Sequence, residues 1–410
     1  MRTKLTLAII AWLLCQQLTA QRNCSTASYQ ADPSSAVAIE KAETFARQYI
    51  SNNNSSRVLQ GTVIKIPVVV HILYHYPSEN ISDAEVFKQI EILNQSFRRK
   101  NADTANTPLR FASVAADCEI EFHLAISDAK KRSTSGIIRK YTPIKEWEDD
   151  DKMKFSAEMG DDAWDSKSYL NIWVCNLRRV AGYSTLPGGP AEKDGIVIGF
   201  PVFGFGHTSG FDKGRTAVHE VGHWLGLRHL WGDEYCGDDG VSDTPKQGTY
   251  NAGCPTGIRL SCSNGPDGDM YMNYMDFTND VCMNLFTKGQ AQRMRAFFAA
   301  GGARNSITTS TGLNPPLILE SPLPEESPKW LHPQLYPNPT ISDMTLDLSY
   351  DVRWLGKVLT IMNMQGQVVM QTTISAKLQT INVSKLQAGM YVLTGKKEDG
   401  ETIKQKFIKL

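Results

Sequence analysis

Thr216 to Asp233 reads TAVHEVGHWLGLRHLWGD, and the rest of the chain is best read outward from it. His219 and His223 stand four apart, so on a helix both imidazoles project from one face and can share one metal ion. Gly226 can take the left-handed conformation that ends a helix, after which the chain can turn back and deliver His229 as a third ligand. Three neutral imidazoles leave one position on zinc open. That is a catalytic arrangement, because structural zinc sites fill all four positions with protein ligands. Glu220 is placed to take a proton from a water attacking a carbonyl and to pass it to the leaving amine. A lone HExxH arises by chance in about one chain of this size in a hundred, the full HExxHxxGxxH in roughly one in 100,000, so the longer spacing carries the reading. The other histidines, His71, His75, His123, His207 and His332, lack partners at ligand spacing and read as packed or surface residues.

Upstream, Ile64 to Tyr74 reads as a Val- and Ile-rich strand, and Ser82 caps a helix with Val86, Ile90, Leu93 and Phe97 on one face. Ile120, Phe122, Leu124 and Ile126 alternate in a further strand, as do Leu170, Ile172 and Val174. Residues 57–306 are therefore expected to form a mixed α/β domain. Residues 1–20 carry Arg2 and Lys4, the apolar run Leu5 to Leu14 and a small residue at Ala20, the pattern of a signal peptide that takes Cys15 with it. Residues 21–56 are polar, with one helical stretch near Ala36 to Ile50, and read as a pro-segment. Eight prolines between Pro315 and Pro339 mark the linker expected over 307–334. Beyond it, residues 335–410 give short alternating strands, with Val358, Thr360 and Met362 on one face and a Gln365-Gly366 turn, which suggest a small β-sandwich. Lys plus Arg and Asp plus Glu both count 43, so bulk charge gives no reason to expect a nucleic acid partner. No stretch after the leader approaches 18 uninterrupted apolar residues, so no transmembrane span is expected.

The extended histidine motif, followed by Tyr271-Met272-Asn273-Tyr274-Met275-Asp276, resembles the metzincin metallopeptidases, in which a methionine-containing turn lies beneath the metal. HEVGHWLGLRH, Asp243-Thr244-Pro245, NYMDF and Cys282-Met283-Asn284 resemble more narrowly the pappalysin family and its ulilysin-like branch. The resemblance implies an α/β metzincin-like catalytic domain, with a mixed, mostly parallel sheet and an active-site helix. It implies hydrolysis of protein or peptide substrates, Met275 under the zinc, and calcium in the region of Asp239, Asp243 and Thr244. It places Asp280 at a position that favours a basic side chain after the scissile bond, where a carboxylate would pair bidentately with Arg. An ordinary solvated or loop-capping Asp is the alternative. With that preference, cleavage between Ser56 and Arg57 would release the pro-segment. Three pairings of Cys236, Cys254, Cys262 and Cys282 are open to sequence alone; the resemblance implies Cys236 with Cys262 and Cys254 with Cys282. Cys24 resembles a cysteine switch, a thiolate filling the open zinc position in a zymogen. Cys118 and Cys175 read as buried thiols rather than a bridge. Phe277 stands where the family usually carries tyrosine, which removes one hydroxyl donor from transition-state stabilisation. A catalytically impaired binding protein is the alternative function.

Tyr336-Pro337-Asn338-Pro339, Ile361 to Val369, Leu386 to Val392 and Lys406 to Lys409 resemble the C-terminal sorting domain of the bacterial type IX secretion system. That resemblance implies secretion machinery as a partner and an extracellular or cell-surface destination. A carbohydrate- or matrix-binding β-module is the alternative.

Overall fold

The computed structural model describes residues 24–26, 33–52, 61–319, 331–398 and 400–410. The expected signal peptide and the Ser56–Arg57 junction lie outside the described residues. The described residues divide into two compact units, the first on those up to 71, 85–138 and 146–319, the second on 72–84, 139–145 and those from 331 on.

Helix α1 (Pro33–Asn52) contains the stretch expected to be helical. There follow β1 (Ile64–Tyr74), α2 (Asp83–Phe97), β2 (Ile120–Leu124), β3 (Ile137–Tyr141), β4 (Leu170–Cys175), β5 (Gly182–Ser184), β6 (Ile196–Gly199), α3 (Arg215–Trp224) and α4 (Lys288–Ala296). The strands form one mixed, mostly parallel sheet in the order β2-β1-β4-β6-β5, with β3 also paired to β1. β2 is parallel to β1 and β6 to β4, whereas β5 returns antiparallel to β6 and forms the edge.

Parallel strands covered on both faces need apolar residues throughout, and β4 and β6 are buried along their whole length. The alternation expected for Leu170, Ile172 and Val174 therefore does not divide β4 into inner and outer faces. On β2, Ile120 and Phe122 are buried, but Ile126 lies beyond the strand and is exposed. α2 turns Val86, Gln89, Leu93 and Phe97 inward, and Ile90 sits half-buried on its flank. Gln89 takes the inner place because both ends of its amide are bonded: Nε2 donates to the Gly214 carbonyl at 3.0 Å and Oε1 accepts from Gly204 N at 2.9 Å. This ties α2 to the chain entering α3.

All ten residues of α3 are buried. Such a helix needs its ends satisfied by protein rather than water. Asp280 Oδ2 accepts from Lys213 N at 2.9 Å and Arg215 N at 3.1 Å at the start. At the end Gly226 has φ of 82°, and Gly226 N and Leu227 N donate to the carbonyls of His223 and Gly222 at 2.8 and 2.9 Å. A Cβ at Gly226 would also lie 2.2 Å from the Phe297 ring, so both backbone angle and packing demand glycine. Arg304, paired with Asp194 at 2.6 Å, donates to the Trp224 carbonyl and lies over the Trp224 ring.

The second unit holds two antiparallel sheets. β7 (Gln334–Tyr336), β8 (Asp343–Asp347) and β11 (Leu378–Asn382) form one; β9 (Val358–Asn363), β10 (Val368–Thr373), β12 (Gly389–Lys396) and β13 (Thr402–Lys409) form the other. Their inner faces share a core that includes Met344, Leu346, Trp354, Leu393 and Phe407. On β9 the core residues are Leu359 and Ile361, so the Val358, Thr360, Met362 set is the outer face. The expected turn forms, with Gly366 at φ 80°. No helix among the described residues is long and apolar enough to cross a membrane.

Candidate metal and catalytic site

His219 and His223 project from one face of α3, and the turn at Gly226 brings His229 back against them. Their three Nε2 atoms lie 3.1 to 3.2 Å from one another. A tetrahedral ion with bonds of about 2.0–2.1 Å requires ligand separations of about 3.3 Å, so the donor set fits zinc. Each Nδ1 is fixed from behind, by the Tyr274 carbonyl for His219 at 2.7 Å, the Leu227 carbonyl for His223 at 2.8 Å, and Asp233 Oδ1 for His229. With Nδ1–H donating outward, the lone pairs of all three Nε2 atoms point at one spot. Burial, and then the neighbouring His229, push His223 down to about 3, so it is neutral as a ligand must be.

Met275 is buried in the turn that delivers the Tyr274 carbonyl. A Cβ on Gly222, between the two helical ligands, would lie 2.5 Å from its sulfur, so the thioether packs directly under the turn of α3 that carries His219 and His223. Phe277 packs against the rings of His219, His229, Trp231 and Tyr250. Trp231 stacks on His229 with centroids 4.4 Å apart.

Cys24 lies at the same centre. Its Sγ and the three histidine nitrogens all fall within 4.8 Å of one another, the one such group among the described residues. The thiol donates to Glu220 Oε2 at 3.6 Å, and Cys24 forms a parallel bridge to Gly182 on edge strand β5. Burial and then the Glu220 charge push the Cys24 thiol well above its ordinary range. A thiolate there needs a cation beside it, which the imidazole cluster is built to hold. Thr26 Oγ1 donates to the same Glu220 oxygen at 3.2 Å and accepts from Ser184 N at 2.9 Å. Residues 24–26 thus reach both the imidazole cluster and the Glu220 carboxylate.

Other expected residues sit as follows. Asp280 Oδ2 accepts from two backbone N–H groups at the start of α3, those of Lys213 and Arg215. Asp239 accepts from the Thr244 hydroxyl at 2.8 Å and from Val241 N at 3.0 Å. Asp243 accepts from the Thr287 hydroxyl at 2.6 Å and Gly289 N at 2.8 Å, at the start of α4. The structure joins Asp239 to Thr244 and sets Asp243 against the start of α4. Cys236 is bridged to Cys262 and Cys254 to Cys282. Cys118 and Cys175 are buried and outside the disulfides. Sequence reasoning missed Asp233 and Thr26. Asp233 follows His229 by four residues, and its carboxylate was the available signal; nothing local distinguishes Thr26 from neighbouring hydroxyl residues.

Comparison with known proteins gives the same picture. A family model described as pregnancy-associated plasma protein-A matches residues 154–299, and one described as a secretion system C-terminal sorting domain matches 334–409. An extracellular metalloprotease of Trichophyton verrucosum is 31% identical over 294 residues, 68% of this chain and 93% of that protein. One from Colletotrichum graminicola is 29% identical over 296 residues, 68% of this chain and 91% of that one. Mature mirolysin of Tannerella forsythia, solved with a cleaved peptide, is 48% identical, covering 60% of this chain and 96% of that one with a TM-score of 0.59. A promirolysin mutant from the same organism is 43% identical, covering 71% and 98% with a TM-score of 0.65.

Proposed function

The chain belongs to the pappalysin family of metallopeptidases, and from that premise we propose that it is a zinc endopeptidase made as a zymogen and silenced by Cys24. That it is a secreted or surface metalloendopeptidase follows from the family, the extracellular relatives and the sorting domain. The observation that carries the finer reading is the convergence of His219, His223 and His229 with Glu220 on the same helix. Zinc held there would polarise the scissile carbonyl and lower the pKa of the attacking water. Glu220, 1% exposed, takes the proton and returns it to the departing amine. Asp233, Leu227 and Tyr274 hold the imidazoles in one tautomer, so the site is organised before substrate arrives.

Latency rests on Cys24 facing the cluster and on Thr26 holding Glu220. The match covers 71% of this chain for promirolysin and 60% for mature mirolysin, which supports a comparable pro-form here. We assign residues 1–20 as leader, 21–56 as pro-segment, 57–306 as catalytic domain, 307–334 as linker and 335–410 as sorting domain, with export by a type IX machinery. Preference for Arg after the scissile bond, with Asp280 behind it, and activation between Ser56 and Arg57 belong to the same proposal. So does calcium near Asp239, Asp243 and Thr244.

Incubating purified precursor with a mixed proteome and mapping every new terminus by mass spectrometry tests these points together. The expected outcome is chelator-sensitive cleavage before Arg, lost in Glu220→Ala. Zinc bound without new termini would defeat the enzymatic reading.

A further inference from the structure

Helix α1 is held to the first unit by a patch that no catalytic step uses. Ala42 and Ala46 are buried against Ala296 and Phe297, with Tyr49 and Ile50 packed at the margin. Beside this seam the guanidinium of Arg293, 1% exposed, pairs with Glu43 and donates from Nε to the Gly226 carbonyl at 2.7 Å. Among the described residues its Nη1 has no hydrogen-bond partner. The helix backbone also presses on a glycine turn: a Cβ on Gly188 would lie 2.5 Å from the Ala38 carbonyl oxygen. Small residues at 42 and 46, a carboxylate at 43 and a bare backbone at 188 make groove and helix complementary in shape and charge.

We propose that this groove is a docking surface for the pro-segment helix that outlasts chain cleavage, so that the processed segment stays bound without a covalent link and a copy released by another molecule can bind in its place. The inference rests on the zymogen reading. Before cleavage the contact is intramolecular, with an effective concentration of the order of millimolar; afterwards the groove's own affinity decides whether the segment leaves. Arg293 gives the reason to expect retention. Without the helix it would lose its ion pair with Glu43 and keep only the longer-range attraction of the Asp239 carboxylate, so separating the pair is unfavourable. Because Arg293 also bonds Gly226, the docked helix supports the turn that delivers His229.

The test uses wild-type precursor allowed to process, with loss of residues 33–52 from the main chain verified by denaturing mass spectrometry. Fluorescein-labelled peptide 33–52 is then titrated into chain freed of its own segment, and anisotropy is read. Saturable binding is expected, displaced by unlabelled peptide, with a Glu43→Gln peptide at least about tenfold weaker although Gln keeps helix propensity. Absence of saturable binding, equal binding by the Glu43→Gln peptide, or equal binding by a scrambled peptide overturns the docking surface. A precursor that never loses its N-terminal segment overturns the zymogen reading instead, and mass alone reports that before any peptide is added.

Discussion

Two regions face the candidate metal site and are ordered by different means. Helix α3 supplies two histidines and Glu220 from a segment that is buried at every residue. The long loop from Gly232 to Asn284 supplies Asp233, the Tyr274 carbonyl and Met275, yet its named regular structure is one short turn at Asp280–Cys282. Asp233, Cys236, Cys262 and Ser263 all have positive φ, conformations that non-glycine residues adopt at a cost. What holds the loop is covalent and polar: two disulfides, and a buried Asp276 that accepts from Gln247, Asn251 and Phe277 N. A helix ordered by burial should be indifferent to redox conditions. A loop ordered by disulfides should not, and the two can be separated by experiment.

The largest effect is expected on the helix side. Glu220→Ala should lower kcat by about 10²–10⁴-fold, the range for losing a general base, while metal content stays unchanged. Activity assays paired with metal analysis check it. If metal were lost as well, Glu220 would be a ligand and the assignment of roles on α3 would fail.

Next comes the loop. The disulfides close segments of 26 and 28 residues, for which chain entropy gives about 3–4 kcal/mol each. In a Cys254→Ser/Cys282→Ser double variant, limited proteolysis should find new cuts between 237 and 281, whereas amide exchange in α3 should hardly change. Equal loosening of both regions would break the contrast. A smaller effect is expected where loop and helix meet. Asp233→Ala leaves His229 without its orienting acceptor and should weaken metal binding by about 10–100-fold, measured by competition with a chelator of known affinity.

The same contrast explains what the sequence made legible. Spacing alone placed His219, His223, His229 and Glu220, because helical periodicity and one glycine turn are local rules. The loop's disulfide pairing came only through family resemblance, since spacing leaves three pairings open. Asp280 was read as a specificity residue with loop capping as the alternative; its bonds to Lys213 N and Arg215 N reach α3 across 67 and 65 residues of chain, a relation no local pattern encodes. Ile90, grouped with Val86, Leu93 and Phe97, sits half-buried at the flank of α2 for a related reason. Periodicity marks an apolar stripe, but tertiary partners decide which stripe is inner, as the two backbone bonds of Gln89 do on α2. The burial of β4 on both sides likewise depends on what covers the sheet.

The smallest effect concerns residues 24–26, whose described contacts are with Glu220 on α3 and with Gly182 and Ser184 on β5, on the helix side of the site. Thr26→Val keeps the shape and removes the hydroxyl, taking one bond from the Glu220 carboxylate and leaving Ser184 N without its acceptor. A loss of about 1–2 kcal/mol is expected. That corresponds to roughly tenfold faster labelling of Cys24 by a thiol reagent in the precursor. Thr26→Ser should restore slow labelling, because the hydroxyl and not the methyl group carries the effect. Proteolysis within 237–281 should be the same in all three precursors. If Thr26→Val instead loosened the loop, the pro-segment would be coupled to both regions, and the separation of helix side from loop side would have to be given up.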